Sequence, residues 1–502
     1  MAVDVSGDAP ARDTLRGRVL SGVAWKAASR GLFEVTKLMV AVALARLLTP
    51  SDYGLAGMVI ILAAFQPVLS GVALASALVQ RPVLSEDDRS TVFWTNLATG
   101  ACFSMLGVAL SRPAASFYGN DAVQPLFAAM SLCYVVSALG ITHGQLLVRE
   151  MDFRSLELRT MAGTVVGAVA AIATAAAGGG AWALVVQSLA TLATSTVLLW
   201  ALSDWHPRLR FSRQSLREVR GFGGNVSGTL LLFQLNENAD NVLIGRYLGA
   251  HALGAYALGY NIILLPFSRL MAPLHDVLYP AFTRLQDDRE RMAATWLRIL
   301  RLLVAATLPA MLGLVVVSQE FVRVAFGAKW HEAVPVVQVL AWVGVLLAVQ
   351  GLNSMIFMAV GRTQTLLRCA FVSFLGGLAS FVVGLQWGIV GVAACFAVWS
   401  TGMQLAYVVL ASRALSSPLS ACWHAIAGVV QATAVAVAAM LLVRQGLLHL
   451  GAGALIRLLV TALAGAVVYL PAAAWRAPSL LDELRAIRRR RAPVPAAGAA
   501  IA

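Results

Sequence analysis

Long apolar runs separated by short polar segments dominate this sequence from residue 22 to residue 474. The runs are continuous and rich in Ala, Leu and Val, and about 20 such residues are enough to span a bilayer as a helix. Strands of a membrane β-barrel would instead alternate apolar and polar residues. The pattern therefore predicts an all-α, polytopic membrane protein with about fourteen transmembrane helices.

The predicted spans are numbered by their order along the chain. They cover residues 22–48, 53–78, 92–110, 123–148, 161–177, 181–202, 222–245, 252–273, 297–317, 334–360, 366–385, 389–411, 425–443 and 454–474. The intervening loops are too short to fold as a separate soluble domain.

Composition and charge support a membrane protein over a nucleic-acid-binding one. Only 12% of the 502 residues are charged, against about 25% in soluble domains. The net charge is +14, but the cations concentrate in alternate loops, as the positive-inside rule expects of cytoplasmic loops. Both termini are therefore predicted to be cytoplasmic. The inner loops include Arg149, Arg154, Arg159 and the tail Arg488–Arg491, whereas the outer loops hold chiefly Arg112, Arg323, Lys329 and Arg444.

Enzymatic motifs and cofactor sites are not predicted. The five cysteines all fall inside apolar runs without CxxC spacing, so we expect small core residues instead of disulfides or metal ligands. The chain has no P-loop, HExxH or GxSxG motif, and no catalytic residue, metal or cofactor is predicted. The first twenty residues lack the order of a signal peptide, so the first span is expected to direct insertion.

An internal repeat divides the chain. Arg46-Leu47-Leu48 followed by Tyr53-Gly54 is matched 200 residues later by Arg246-Tyr247-Leu248 followed by Leu253-Gly254. Copies with the same orientation form a parallel repeat, related by an axis along the membrane normal. The predicted organisation is a cytoplasmic segment (1–21), an N-lobe of six spans (22–205), a basic cytoplasmic linker (206–220), a C-lobe of six spans (221–415), a C-terminal helix pair (416–475) and a basic cytoplasmic tail (476–502).

A stripe of charged residues occupies the first span. Lys26, Arg30, Glu34 and Lys37 recur every three to four residues and so share one helix face. A charge at the centre of a spanning helix costs about 2.5–3.5 kcal/mol, so we expect Arg30, Glu34 and Lys37 to face a hydrated cavity. Alternatively, Glu34 and Lys37 pair with each other, and Lys26 and Arg30 reach the headgroups.

A polar cluster interrupts the seventh span, which is the repeat partner of the first. These side chains either line the opposite wall of the same cavity or form hydrogen bonds between helices, worth roughly 1 kcal/mol each. Arg269, near the eighth span, is a further cavity candidate. Glu34, Glu237 and Asp240 are candidates to bind a coupling ion. The cluster consists of Gln234, Asn236, Glu237, Asn238, Asp240 and Asn241.

Three motifs carry a family resemblance. They are Arg46-Leu47-Leu48-Thr49-Pro50-Ser51-Asp52-Tyr53-Gly54, then Ala75-Ser76-Ala77-Leu78-Val79-Gln80-Arg81, then Ser90-Thr91-Val92-Phe93-Trp94-Thr95-Asn96. Together they resemble the Wzx-type polysaccharide flippases, in the exopolysaccharide and capsule branch of the superfamily that also contains multidrug extrusion transporters and lipid II flippases. The resemblance is densest over the first hundred residues.

The resemblance implies a fold, a substrate and partners. The fold would be a V-shaped bundle of two lobes that opens alternately to each side of the bacterial cytoplasmic membrane. The substrate would be an undecaprenyl-diphosphate-linked oligosaccharide, and the partners a polysaccharide polymerase and a chain-length regulator. The resemblance does not assign residue roles at the candidate site, but the side-chain chemistry suggests them: Arg30 and Lys37 would attract the diphosphate, and the amides of the seventh span would bind sugar hydroxyls.

Other functions stay open. A drug or cation antiporter of the same superfamily is disfavoured by the C-terminal helix pair. A membrane-embedded polymerase or ligase is disfavoured by the absence of a long outer loop. A scaffold that transports nothing would differ from a carrier in tolerating Lys37→Ala or Asp240→Ala.

Overall fold

The structure, a computed structural model, describes residues 36–69, 75, 78, 79 and 84–478. All regular secondary structure in these residues is helical, which confirms the all-α prediction.

The helices are numbered α1 to α15 in chain order. They are α1 (36–47), α2 (Pro50–Leu69), α3 (Glu86–Tyr118), α4 (Val123–Ser131), α5 (Cys133–Arg149), α6 (Phe153–Ala176), α7 (Trp182–Leu202), α8 (Arg213–Tyr247), α9 (Gly249–Arg284), α10 (Arg289–Ala325), α11 (Ala333–Ala359), α12 (Thr363–Gly384), α13 (Gly388–Ala414), α14 (Leu419–His449) and α15 (Ala454–Arg476).

Each predicted span overlaps a helix among the described residues. Nine helical segments there are long and apolar enough to cross a membrane. One of the nine, Thr363–Ala414, contains both α12 and α13, and the total of fourteen spans stays a prediction. Helix α6 begins at Phe153, well before the predicted start at residue 161, so Arg159 lies on a helix and not in a loop. Helix α8 begins at Arg213, inside the predicted linker.

Local signals explain where several helices begin. Asp152 precedes α6 and accepts a hydrogen bond from the Ser155 backbone N–H at 3.1 Å, and Asp288 does the same for Arg291 at 3.0 Å before α10. Such N-caps satisfy amide groups that have no partner within the helix. The hydrogen bonds from Ser155 lower the pKa of the Asp152 carboxyl.

The helices form two compact units. The first comprises the described residues up to Thr49, together with Val59–Ala114 and Ala122–Leu231. The second comprises Pro50–Met58, Ala115–Asp121 and the described residues from Leu232 onward. The beginning of α2 and the end of α3 therefore belong to the unit that the second half of the chain otherwise builds.

Pairwise helix packing organises each unit. In the first unit α7 packs against α5 and α6. In the second, α11 packs against α9, α10 and α13, and α14 packs against α10 and α15. Trp296 of α10 donates a hydrogen bond to Asn353 of α11 at 3.0 Å inside this core.

An exposed apolar face runs along α15. Leu455, Leu459, Leu463 and Val467 follow one another every four residues and are each more than half exposed. A soluble protein would bury such a stripe, whereas lipid covers it at no cost. The face is consistent with a helix at the lipid boundary.

Candidate functional site

The predicted stripe of the first span is described only at its end. Lys37 lies on α1 with its side chain exposed. Arg30 and Glu34 lie outside the described residues. Arg269 lies on α9 and Asn236 on α8, but their side chains are likewise outside the part of the chain that is described.

Asp240 joins α8 to α9. Its side chain is 4% exposed, and one carboxylate oxygen accepts a hydrogen bond from the Tyr256 hydroxyl at 3.0 Å. The other oxygen accepts from the Asn241 backbone N–H at 2.7 Å. The Tyr256 ring stacks on Tyr260, with centroids 6.1 Å apart. Asp240 thus forms a hydrogen bond between α8 and α9.

The other members of the cluster whose side chains are described are more open. Glu237 lies one helical turn before Asp240 and is exposed, while Gln234, Asn238 and Asn241 are half-buried. The Asn238 side chain donates to the Gln234 carbonyl oxygen of its own helix at 2.9 Å. The side chain of Glu237 is therefore accessible, whereas that of Asp240 is buried.

The chemistry of this cluster suits reversible binding of a small cation. No Lys, Arg or His side chain pairs with Asp240 among the described residues, and its nearest acidic neighbour along α8 is Glu237. Burying a carboxylate without a countercharge is costly, so a proton or a sodium ion would relieve the cost. No group of three or more His, Cys, Asp or Glu side chains elsewhere in the described chain is arranged to hold a metal ion.

Repeat-related glycines make a close helix crossing at the predicted outer ends of α2 and α9. A Cβ atom on Gly54 would overlap the carbonyl oxygen of Ala250, and one on Gly254 would overlap the carbonyl oxygen of Pro50 and lie 3.0 Å from the Gly54 nitrogen. Gly54 and Gly254 are 200 residues apart, as are Pro50 and Ala250, so the two contacts are equivalent under the repeat. The α2–α9 crossing therefore pairs equivalent positions of the repeat, backbone against backbone.

Side chains extend the α2–α9 crossing. The His251 ring lies 3.4 Å from the Ser51 hydroxyl and 3.2 Å from a Glu332 carboxylate oxygen. Tyr53 meets Trp330 edge to face, with centroids 5.1 Å apart. The sequence repeat identified the segments that meet here, but not their contact.

A buried ion cluster fastens the C-terminal helix pair. Glu320 of α10 is 2% exposed, and one of its oxygens lies 3.0 Å from Nε of Arg444 on α14 and 3.5 Å from Nε of Arg457 on α15. Sequence reasoning missed this cluster. Its signal in the sequence is an acidic residue three positions after the apolar run Val315-Val316-Val317.

An apolar cavity of about 750 Å³ lies in the second unit among α10, α11, α13 and α14. Its lining is almost entirely hydrocarbon and aromatic, with Trp342 and Trp423 as the largest side chains and Gln404 as a polar exception. Such a lining suits an alkyl or prenyl chain.

The chain is similar to bacterial proteins of cell-surface polysaccharide synthesis. It is 28% identical over 386 residues to the lipopolysaccharide biosynthesis protein WzxC of Escherichia coli (strain K12), covering 76% of this chain and 78% of that protein. It is 26% identical over 353 residues to the teichuronic acid biosynthesis protein TuaB of Bacillus subtilis (strain 168), covering 69% of this chain and 72% of TuaB.

Two further comparisons concern the fold and the family of the chain. The lipid II flippase MurJ in an inward closed conformation superposes with a TM-score of 0.73 at 14% identity, over 91% of this chain and 99% of MurJ. The model of the family described as "polysaccharide biosynthesis protein" matches residues 43–335. The chain belongs to this polysaccharide biosynthesis protein family.

Proposed function

We propose that this protein is a flippase that moves undecaprenyl-diphosphate-linked oligosaccharide repeat units from the inner to the outer leaflet of the bacterial cytoplasmic membrane. The repeat units would supply exopolysaccharide or capsule synthesis. The observation that carries the proposal is membership of the polysaccharide biosynthesis protein family over residues 43–335. A fold shared with a lipid II flippase supports it.

The side-chain chemistry agrees with an amphiphilic substrate. The diphosphate and sugars need polar surroundings, and the prenyl chain needs apolar ones. Glu237 and the amides of α8 supply polar groups within predicted spans, where lipid would not tolerate them. The apolar cavity of the second unit supplies surroundings suited to hydrocarbon.

Alternating access would use the α2–α9 crossing as a releasable contact. Glycines allow two helices to approach at backbone distance without interlocking side chains. The crossing would hold the outer ends together in one state and separate in a state that is open to the outside. Its surrounding contacts, including the exposed pair of His251 with Glu332, are of the weak surface kind.

The candidate substrate and ion sites follow from the predicted cavity. Arg30, Lys37 and Arg269 would attract the diphosphate, and Gln234, Asn236, Asn238 and Asn241 would bind sugar hydroxyls. Glu34, Glu237 or Asp240 would take up a coupling proton or sodium ion. Of the two whose side chains are described, Asp240 is the stronger candidate, because it is buried and its described contacts include no cation.

Orientation and partners complete the proposal. Both termini would lie in the cytoplasm, as the arginine-rich loops predict. A polymerase would consume the translocated repeat units on the outer side, under a chain-length regulator.

Removing the protein from its host tests this function. We expect loss of the extracellular polymer and accumulation of lipid-linked repeat units on the cytoplasmic side, with both effects reversed by the wild-type chain. Unchanged polymer together with altered drug sensitivity would instead identify an antiporter. A scaffold would be identified if Asp240→Asn and Lys37→Ala, expressed at normal levels, restored full export.

A further inference from the structure

A polar cavity lies inside the first unit. It has a volume of about 440 Å³ and is lined by residues of α2, α5, α6 and α7. This volume lies in the range of about 300–1,000 Å³ typical of small-molecule sites. Its polar lining comprises Gln66, Ser137, Gln145, Glu157, Arg159 and Thr160, with Ser195 and Thr196 from α7.

Close packing of α6 on α7 fixes the position of Arg159. Gly163 and Gly167 lie one and two turns after Arg159 on the same face of α6. A Cβ atom on Gly163 would lie 2.5 Å from the Ser195 hydroxyl oxygen, and one on Gly167 would overlap the Thr191 side chain. Since neither glycine tolerates a side chain, α6 cannot rotate freely.

The guanidinium of Arg159 extends across the cavity toward α5. Its Nη1 atom lies 4.0 Å from the position that a Cβ atom on Gly144 would occupy. Gly144 thus places no side chain of its own beside the cation. This arrangement gives the cavity one fixed positive charge and open space next to it.

Arg159 has no countercharge among the residues that the structure describes. Its Nε atom is buried without a hydrogen bond, and no carboxylate among the described residues forms an ion pair with it. Glu157 lines the same cavity, but its side chain is exposed. Partial burial of a cation without a countercharge is unfavourable. The cost falls when an anion binds, and a guanidinium fits the oxygens of a phosphate in pairs.

We propose that this cavity binds the phosphate of a lipid headgroup, with Arg159 as its principal cation and the Gln145 amide as a further donor. The cavity lies beside the turn between α5 and α6, which the positive-inside pattern assigns to the cytoplasmic side. If the proposed flippase function holds, on which this step rests, the ligand is the diphosphate of the lipid-linked oligosaccharide at the inner leaflet. A bulk anionic lipid is the other source of the same chemistry.

Binding by the purified full-length chain in phosphatidylcholine nanodiscs tests the site. The probes are undecaprenyl diphosphate and phosphatidylglycerol, each titrated and counted by native mass spectrometry. We expect Arg159→Gln to weaken binding of undecaprenyl diphosphate at least about tenfold, as for the loss of charge-assisted hydrogen bonds. Arg154→Gln, which removes an exposed arginine of the same helix outside the cavity, is the matched control and should change binding less than about twofold.

A second variant separates loss of the site from loss of the fold. Gly144→Leu keeps the cation but fills the cavity from α5, and it should weaken binding as Arg159→Gln does. If Arg159→Gln weakens the binding of undecaprenyl diphosphate alone, the ligand of the cavity is the substrate headgroup. If it weakens the binding of phosphatidylglycerol equally, the ligand is the phosphate of any anionic lipid. Wild-type binding in both variants would overturn the proposal.

Measuring polymer export by the same variants distinguishes a failure of the proposed phosphate site from a failure of the proposed flippase function. Wild-type protein that exports polymer while Arg159→Gln binds undecaprenyl diphosphate normally would refute the site and leave the function intact. Wild-type protein that restores no export would refute the function, whatever the cavity binds.

Discussion

Two buried carboxylates in the second unit lie in opposite electrostatic surroundings. Glu320 contacts two arginines, Arg444 and Arg457, on two other helices. Asp240, similarly buried, accepts hydrogen bonds only from a tyrosine hydroxyl and a backbone amide in the described structure. A carboxylate held by two cations is a permanent structural charge, whereas one without a cation can exchange a proton or metal ion. Burial alone therefore does not distinguish a structural carboxylate from a candidate coupling group, whereas the partners of the carboxylate do.

The largest expected effect is on stability, at the first of these carboxylates. Glu320→Gln leaves Arg444 and Arg457 without a countercharge, and breaking a buried pair costs about 3–5 kcal/mol. We expect a clearly lower thermal unfolding temperature in detergent. An unchanged unfolding temperature would show that the arginines find other partners and that the cluster does not fasten α14 and α15.

Substitution of the second carboxylate, Asp240, should impair transport and leave stability nearly unchanged. Asp240→Asn keeps an acceptor for Tyr256 but cannot exchange a cation, so export should fall at least about tenfold, equivalent to about 1.4 kcal/mol. The unfolding temperature should stay near that of wild type. Asp204→Asn, at an exposed acid after α7, is the control. Normal export by Asp240→Asn would remove it from the coupling site.

Removing the Tyr256 hydroxyl tests the structural hydrogen bond of Asp240 separately from the proposed binding of a cation by its carboxylate. Tyr256→Phe deletes one interhelical hydrogen bond and should cost about 0.5–1.5 kcal/mol of stability. Export should persist at a reduced level, because the carboxylate remains. Complete loss of export at normal expression would give the hydroxyl itself a role in transport.

The smallest effect is expected beside the Glu320 cluster. Gln319 accepts a hydrogen bond from Arg444 at 3.0 Å in an exposed position. Gln319→Ala should change stability by at most about 0.5 kcal/mol, as thermal unfolding would show. A loss as large as that of Glu320→Gln would mean that position 319, not the buried charge, fixes Arg444.

The helices and the α8 cluster could be predicted because each is a local pattern. A continuous apolar run defines a spanning helix by length, and several polar residues within such a run stand out immediately. Glu320 could not be predicted as a cluster member, because one acid after an apolar run resembles an ordinary helix end. Its significance depends on Arg444 and Arg457, which lie more than a hundred residues away in sequence.

The features that could not be predicted from the sequence depend on exact helix boundaries and on contacts between distant parts of the chain. Because α6 was predicted to begin at residue 161, Arg159 was assigned to an inner loop and its cavity was not anticipated. The repeat motif around Gly54 and Gly254 was visible at its spacing of 200 residues. That the two copies touch through their backbones depends on how separate helices pack, which no local pattern encodes.

Translocation by the purified protein tests the central claim most directly. Proteoliposomes would contain undecaprenyl-diphosphate-linked oligosaccharide in both leaflets, and a lectin or glycosidase added outside would report the fraction that becomes accessible with time. We predict that wild-type protein exposes the protected inner fraction and that Asp240→Asn slows this at least about tenfold. If wild-type protein, supplied with a proton or sodium gradient of either polarity, exposes no more than empty liposomes do, the flippase function is contradicted.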